Sequence, residues 1–392
     1  MFSRRTNWNF LSNELTLLRE RKILEGKPIL DVTESNPTKC NFDFLFSEII
    51  SSLNSEENIL YSPNPKGNLQ ARETICKYYA ERDISISPEQ IILTSSSSEA
   101  YSLLFRLLCN VNEEILVPKP SYPLFDYLAQ INDVAVKHYR LEYDGNWQID
   151  FESLQKNISE KTKSIIIVNP NNPTGNFIHD GEREKLYQIA NENNISVIED
   201  EVFSDFRFQI LDFRLKNSYP ISHISHLHFT LNGISKLLAL PQMKLGWIVI
   251  QGESKLQQEA ISRLEILADT FLSVNTPIQN ALPKLFLLRK QIQTEILQRI
   301  QSNYNLLKQQ MSNSQCSILN VEGGWNTIIK IPNTKSDEQW AKEILEDENV
   351  FVHPGHFYDF ESEGFLVVSL IQQKDIFEEG VVRIKKFVEK NG

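Results

Sequence analysis

From about Ser87 to Ile250, short runs of apolar, largely β-branched residues alternate with amphipathic stretches. That alternation predicts a parallel sheet covered by helices. The strands it predicts are Gln90–Leu93, Glu114–Val117, Ala135–Tyr139, Ser164–Val168, Ser196–Glu199, His226–Thr230 and Gly246–Ile250. Helical patterns fill the gaps: Ser98–Cys109 follows a serine-rich start, and Leu124–Ile131 follows Pro123 as a first-turn proline. Beyond Thr276-Pro277 the period changes, because Ile292, Ile296, Ile300, Leu307 and Met311 recur at helical spacing. A long connecting helix is expected there. Strand-like segments at Thr327–Ile331, Val350–His353 and Phe365–Leu370, and a last helix from about Asp375, predict a smaller lobe. The expected architecture is a three-layer α/β fold with a mostly parallel, seven-stranded sheet in a large domain, 51–289. A smaller α+β domain is expected from 1–50 together with 290–392.

Composition narrows the class. Of 392 residues, 41% are hydrophobic and 23% charged, and a formal net charge of −11 disfavours nucleic acid or an anionic membrane as partner. Fourteen glycines and 16 prolines are too few for a linker-rich or collagen-like chain. Cys40, Cys76, Cys109 and Cys316 are far apart, without metal-like spacing, and read as reduced structural thiols. The segment MFSRRTNWNFLSNE has no apolar core of a signal peptide, and the longest aliphatic runs are far below a spanning length. A soluble cytoplasmic protein is expected.

Four segments carry chemistry. In TLNGISKLLALPQMKLGW, residues 230–247, Lys236 sits on a loop leaving a buried strand, poorly placed for solvation, with Ser235 before it and Lys244 eight positions on. NPNNPTG, residues 169–175, follows the apolar run IIIV, so Asn172 lies at the carboxyl edge of the sheet, where open α/β sheets bind ligands. SVIEDEVF, residues 196–203, brings at least one of Glu199, Asp200 and Glu201 to the same edge, where a carboxylate would hold a buried cation charged. LTSSSSEAY, residues 93–101, ends a strand in hydroxyls and opens a helix, with Ser96 and Glu99 in capping-box spacing. Free N–H groups at such a start favour an anion.

With an amine, a carboxylate, an anion site and an asparagine loop after strands of one sheet, the chain resembles a fold type I pyridoxal-phosphate enzyme of the class I/II aminotransferase group, from about Asp31 onward. S-K-x₇-K-x-G and N-P-x-N-P-T-G, with D-E-V-F between them in the chain, carry the likeness. The resemblance implies pyridoxal 5'-phosphate as cofactor, bound to Lys236 as a Schiff base, with Lys236 then acting as general acid and base. It implies that Asp200 pairs with the ring nitrogen, Tyr122 stacks on the ring, and Asn172 hydrogen-bonds the phenolic oxygen. Ser95, Ser96, Ser97, Ser235 and Lys244 would hold the phosphate. Tyr61, in YSPNPKG, would reach the phosphate of a neighbouring subunit, which implies a homodimer with shared sites. The implied reaction moves an amino group between small amino and 2-oxo acids.

Three departures bear on this. Phe203 stands where relatives commonly carry a tyrosine that donates to the phenolic oxygen, so the Schiff-base pKa is expected to be higher than theirs. Lys244 replaces an arginine, trading a fork for a point charge. In GFLVVSL, Leu366 or Val367 occupies the place of the arginine that grips the substrate carboxylate. Arg4, Arg5, Arg263 and Asn36 are the candidates for its replacement. The missing arginine keeps open a second reading, a lyase, decarboxylase or cyclising enzyme on the same cofactor. A binding domain on the same fold is a third, although it would have no use for an intact Lys236, Asp200 and Asn172.

Trp325, after Gly323-Gly324, and His356, in VHPGHFYDF, are further candidates for substrate contact. His223, His226 and His228 form H-x-x-H-x-H, but without a carboxylate or cysteine beside them no metal site is expected.

Overall fold

The computed structural model describes residues 1–8, 13–208 and 225–392. Its strands are β1 (Leu30–Asp31), β2 (Ile91–Thr94), β3 (Glu114–Lys119), β4 (Ala135–Tyr143), β5 (Trp147–Ile149), β6 (Thr162–Val168) and β7 (Ser196–Asp200), then β8 (His228–Gly233), β9 (Gly246–Gln251), β10 (Ser317–Ile318), β11 (Asn326–Lys330), β12 (Val350–Phe351), β13 (His353–Pro354) and β14 (Phe365–Ser369). Eight of them form one sheet in the order β2-β9-β8-β7-β6-β3-β4-β5. From β4 through β3, β6 and β7 to β8 the pairing is parallel, whereas β9 runs antiparallel to both β8 and β2.

The sheet therefore has one strand more than the sequence predicts. The addition is β5, three residues that fold back on β4 through Gly145 at φ +113. Such a short return leaves no run for hydrophobic periodicity to register. β8 begins at His228 rather than His226 and extends to Gly233, three residues beyond the expected end.

The central strands are buried on both faces, as parallel strands between helices must be. Ile166, Ile198, Phe229 and Ile248 pack against Leu104, Phe105 and Leu264 of the helices Ser97–Leu108 and Ser254–Asp269. On the other face Ile165, Ile167 and Val197 meet Leu186, Ile189 and Ala190 of the helix Asp180–Asn193. Each such side chain contributes about 1.5–3 kcal/mol of burial.

The helix Thr276–Met311 has 36 residues, roughly 54 Å at helical rise, and runs unbroken across position 290. It leads to an antiparallel sheet, β10-β11-β14-β13, flanked by the helices Asp337–Glu348 and Lys374–Asn391. β1 pairs in parallel with β12, which ties the segment after the helix Glu14–Leu24 to this second group. Residues 1–8 pack elsewhere. Arg5 pairs with Asp133, and the Trp8 indole N–H donates to Gln130 Oε1 at 2.6 Å, so the leader lies on the helix Leu124–Ile131. No described helix is long and apolar enough to cross a membrane.

Candidate active site

The carboxyl ends of β2 and β8 meet the amino end of β9 at two glycines. Gly246 pairs with Thr94 on one side and Gly233 on the other. A Cβ on Gly246 would lie 3.1 Å from the Asn232 carbonyl oxygen and 3.2 Å from the Ser96 carbonyl carbon, and one on Gly233 would lie 3.0 Å from Gly246 Cα. Lacking those atoms, the helix start at Ser96 settles against the turn that carries Lys236.

Lys236 occupies a single helical turn, Ile234–Leu237, whose Ile234 and Leu237 are buried. Its Nζ lies 5.1 Å from the Trp325 ring centroid and 5.6 Å from that of Phe203. Burial lowers the pKa of this amine, and the Asp200 charge only partly opposes the shift. A desolvated lysine carries more of its free base at neutral pH, which is the form that attacks a carbonyl.

The three carboxylates at the carboxyl end of β7 separate by face. Glu199 takes two hydrogen bonds from Arg183, at 2.7 and 3.0 Å, and lies 3.3 Å from His228 Nε2. Burial opposes its ionisation, yet the Arg183 charge and the His228 contact hold its pKa well below the ordinary carboxylate range. Glu201 accepts from the Tyr79 hydroxyl at 2.7 Å, Asn232 at 3.0 Å and Arg82 at 3.1 Å. Asp200 points the opposite way, as the strand pleat requires. Among the described residues it has no cation in hydrogen-bond contact. Instead it accepts from the Tyr101 hydroxyl at 3.0 Å and the Val202 N–H at 3.1 Å, while burial pushes its pKa up to about 6.

Half of the expected capping box is formed: the Ser96 hydroxyl accepts from the Glu99 N–H at 3.2 Å, but Glu99 Oε2 reaches past the cap to accept from the Ser95 N–H at 2.6 Å, and Ser97 opens a 12-residue helix. Ser95, Ser97 and Ser235 are half-buried around this junction, and Lys244 is exposed in the left-handed conformation at φ +56. Trp325 is fully buried, edge-on to Phe203 and Phe206, and its Nε1 has no partner. Asn172 accepts a hydrogen bond from Asn326 at 2.7 Å.

Other candidates lie at the surface. Tyr122 is 50% exposed, and Tyr61, at 81%, stands on the rim of a cleft of 440 Å³ that Glu99 also lines. Asn36 turns its oxygen back on the Thr38 N–H and hydroxyl, capping a local turn. His356 is exposed against the Phe357 ring.

Arg5 and Arg263 pair with Asp133 and Glu259 on side chains that are 56% and 65% exposed. Leu366 and Val367 are core residues of β14, where Leu366 faces Ile329 across the sheet. One sequence expectation needs correction: His228, expected to lack a carboxylate neighbour, has one in Glu199, whereas His226 Nδ1 meets Asn191 Oδ1 at 2.6 Å; His223 lies outside the described residues. Tyr101, Arg82, Arg183 and Asn326 escaped sequence reasoning. A tyrosine four residues after a capping serine-serine pair was the one available signal for Tyr101.

Residues 27–378 match the model of the family described as aminotransferase class I and II. The chain is 25% identical over 378 residues to the glutamate-pyruvate aminotransferase AlaA of Haemophilus influenzae, covering 93% of this chain and 91% of that protein. It is 27% identical over 365 residues to the tyrosine aminotransferase of Dictyostelium discoideum, covering 88% and 85%. Among solved structures, the alanine aminotransferase from Pyrococcus furiosus matches with a TM-score of 0.88 over 100% of both chains at 23% identity, a likeness of fold.

Proposed function

The chain belongs to the class I and II aminotransferases, and from that premise we propose how its own residues divide the work. It is a pyridoxal-phosphate-dependent enzyme that moves an amino group from an amino acid to an oxo acid or related carbonyl. When bound, the cofactor supplies a carbonyl for Lys236 and a ring that accepts electrons.

The donor set suits that group. A desolvated amine, a buried carboxylate with no cation of its own, a serine-rich helix start and an asparagine amide converge on one sheet edge. Asp200 would bind the ring nitrogen in its charged form, gaining the counter-ion that the protein itself withholds. The N–H groups at Ser96 and Ser97, with the hydroxyls of Ser95 and Ser235, would hold the phosphate, and Lys244 would add its charge. Tyr122 would cover the ring, and Lys236 Nζ would take the proton from the substrate Cα. Trp325, Asn36 and His356 form the proposed substrate side.

Tyr61 supports a homodimer with shared sites, because so exposed a tyrosine beside Leu60, Leu69 and Phe271 needs a second subunit to cover it. Cytoplasmic amino acid metabolism is the proposed setting.

The observation that carries the reading is the half-buried Lys236, whose desolvated amine feels the Asp200 charge. With an amino donor alone, the holoenzyme should release one equivalent of oxo acid per site and stop until an acceptor is added. Continued turnover on the donor alone would favour the lyase, decarboxylase or cyclising reading, which Leu366 keeps in play. Visible cofactor absorbance that persists unchanged in Lys236→Ala would refute both.

A further inference from the structure

We propose that Asn326 is a positioning residue: it holds the Asn172 amide so that Nδ2–H faces the cofactor's ring oxygen, and thereby sets the pH at which Lys236 Nζ loses its proton. The inference rests on the cofactor reading above and adds a residue that motif and resemblance leave unassigned.

The contact is fixed by the chain around it. Asn326 opens β11 opposite Ser369 and is 9% exposed. The loop bearing Asn172 is clipped to the segment before β11, since the N–H groups of Glu322 and Gly323 both donate to the Gly175 carbonyl, at 3.1 and 2.9 Å. Phe177 N–H donates to Glu322 Oε2 at 2.7 Å. Gly175, at φ +69, permits this approach, because a Cβ there would stand 2.6 Å from the Gly323 carbonyl oxygen. Inside the loop, Asn171 Nδ2 donates to Pro120 O and to Thr174 Oγ1. Two stapled segments therefore hold Asn326 Nδ2 at 2.7 Å from Asn172 Oδ1.

An amide has a donating end and an accepting end. If Asn172 is to donate to an anionic oxygen, its own oxygen must turn away, toward a group that can donate. Asn326 is that group. Phe203, on the same side of Lys236, offers no donor. A hydrogen bond to the ring oxygen stabilises its negative charge and lets Nζ release its proton at lower pH. Asp200 is the charged group acting on Nζ, with Tyr101 and Glu201 acting through it, whereas Trp325 and Phe203 present uncharged faces.

The test is the pH titration of the holoenzyme's visible absorbance in Asn326→Asp, Asn326→Ala, Asn172→Ala and the double variant Asn172→Ala/Asn326→Asp. Aspartate is close in shape but cannot donate when ionised, so the amide should flip and the midpoint should rise by about one pH unit. Asn326→Ala should raise it by a smaller amount without adding charge, which also covers the case that the aspartate variant does not fold. The double variant should titrate like Asn172→Ala or the new carboxylate would be acting by its charge alone. Wild-type midpoints in both Asn326 variants beside a shifted Asn172→Ala overturn the proposal and leave the cofactor reading standing. An unshifted Asn172→Ala overturns the proposal together with the role of Asn172. A wild-type absorbance that does not depend on Lys236 strikes the cofactor reading itself.

Discussion

The two faces of β7 end in carboxylates of the same chemistry and opposite circumstance. On one face Glu199 and Glu201 each meet a buried arginine, Arg183 and Arg82, and these pairs tie the helix Asp180–Asn193 and the end of the helix Leu69–Ala80 to the sheet edge. On the other face Asp200 meets a phenol and a backbone N–H. The first two charges are neutralised within the protein and hold structure. The third is desolvated without an adjacent counter-ion, which leaves it available to a cationic ligand group. Residues one position apart thus divide into framework and site by the pleat of a strand.

The largest expected effect follows from removing the charge on the site face. Asp200→Asn should lower kcat/KM by roughly 10³-fold, because a neutral amide cannot keep the ring nitrogen charged. A loss under tenfold would mean that Asp200 belongs with the framework. Next in size, Glu199→Gln should cost about 3–5 kcal/mol of stability, since it leaves the largely buried Arg183 without its carboxylate partner. Chemical denaturation reads this directly, and a variant as stable as the wild type would break the comparison from the other side.

Asp200→Asn should also affect stability, with the opposite sign. In the cofactor-free protein the Asp200 pKa stands near 6, against 3.8 as the ordinary value. Below about pH 3 the carboxyl is protonated whether the chain is folded or not, and the substitution changes little. As the pH rises from 4 to 6 the unfolded chain ionises first, so native stability falls, and above 6 the penalty levels off at about 3 kcal/mol. Asparagine removes it. Urea unfolding of both cofactor-free proteins should therefore agree near pH 3.5 and differ by up to that amount at pH 8.

How much of this the sequence disclosed follows the same division. Lys236, Asp200, Asn172 and the Ser96 cap stand in short local motifs, and all fall at the carboxyl edge that alternating strands and helices predict. The partners that give them their character are distant in sequence. Tyr101 is 99 positions from Asp200, and Asn326 is 154 from Asn172. Nothing local announces such pairs, because register across a sheet and the docking of one loop on another decide them. The same reason explains β5.

The smallest expected effect isolates Tyr101. Its hydroxyl favours the ionised form of Asp200, so Tyr101→Phe should raise the Asp200 pKa beyond its present value. Cofactor binding needs the ionised carboxylate and should weaken as the pH falls. In Tyr101→Phe that weakening should begin at higher pH, by about one unit, leaving affinity near pH 6 about fivefold below wild type and affinity at pH 8 almost unchanged. Tyr187→Phe is the matched control on the opposite face, where the hydroxyl serves Arg183 at 3.0 Å and His228 at 3.2 Å. It should move stability and leave the pH dependence of cofactor binding where it is. If the two phenols shifted that dependence alike, the faces of β7 would be electrostatically one environment, and the division between framework and site would fail.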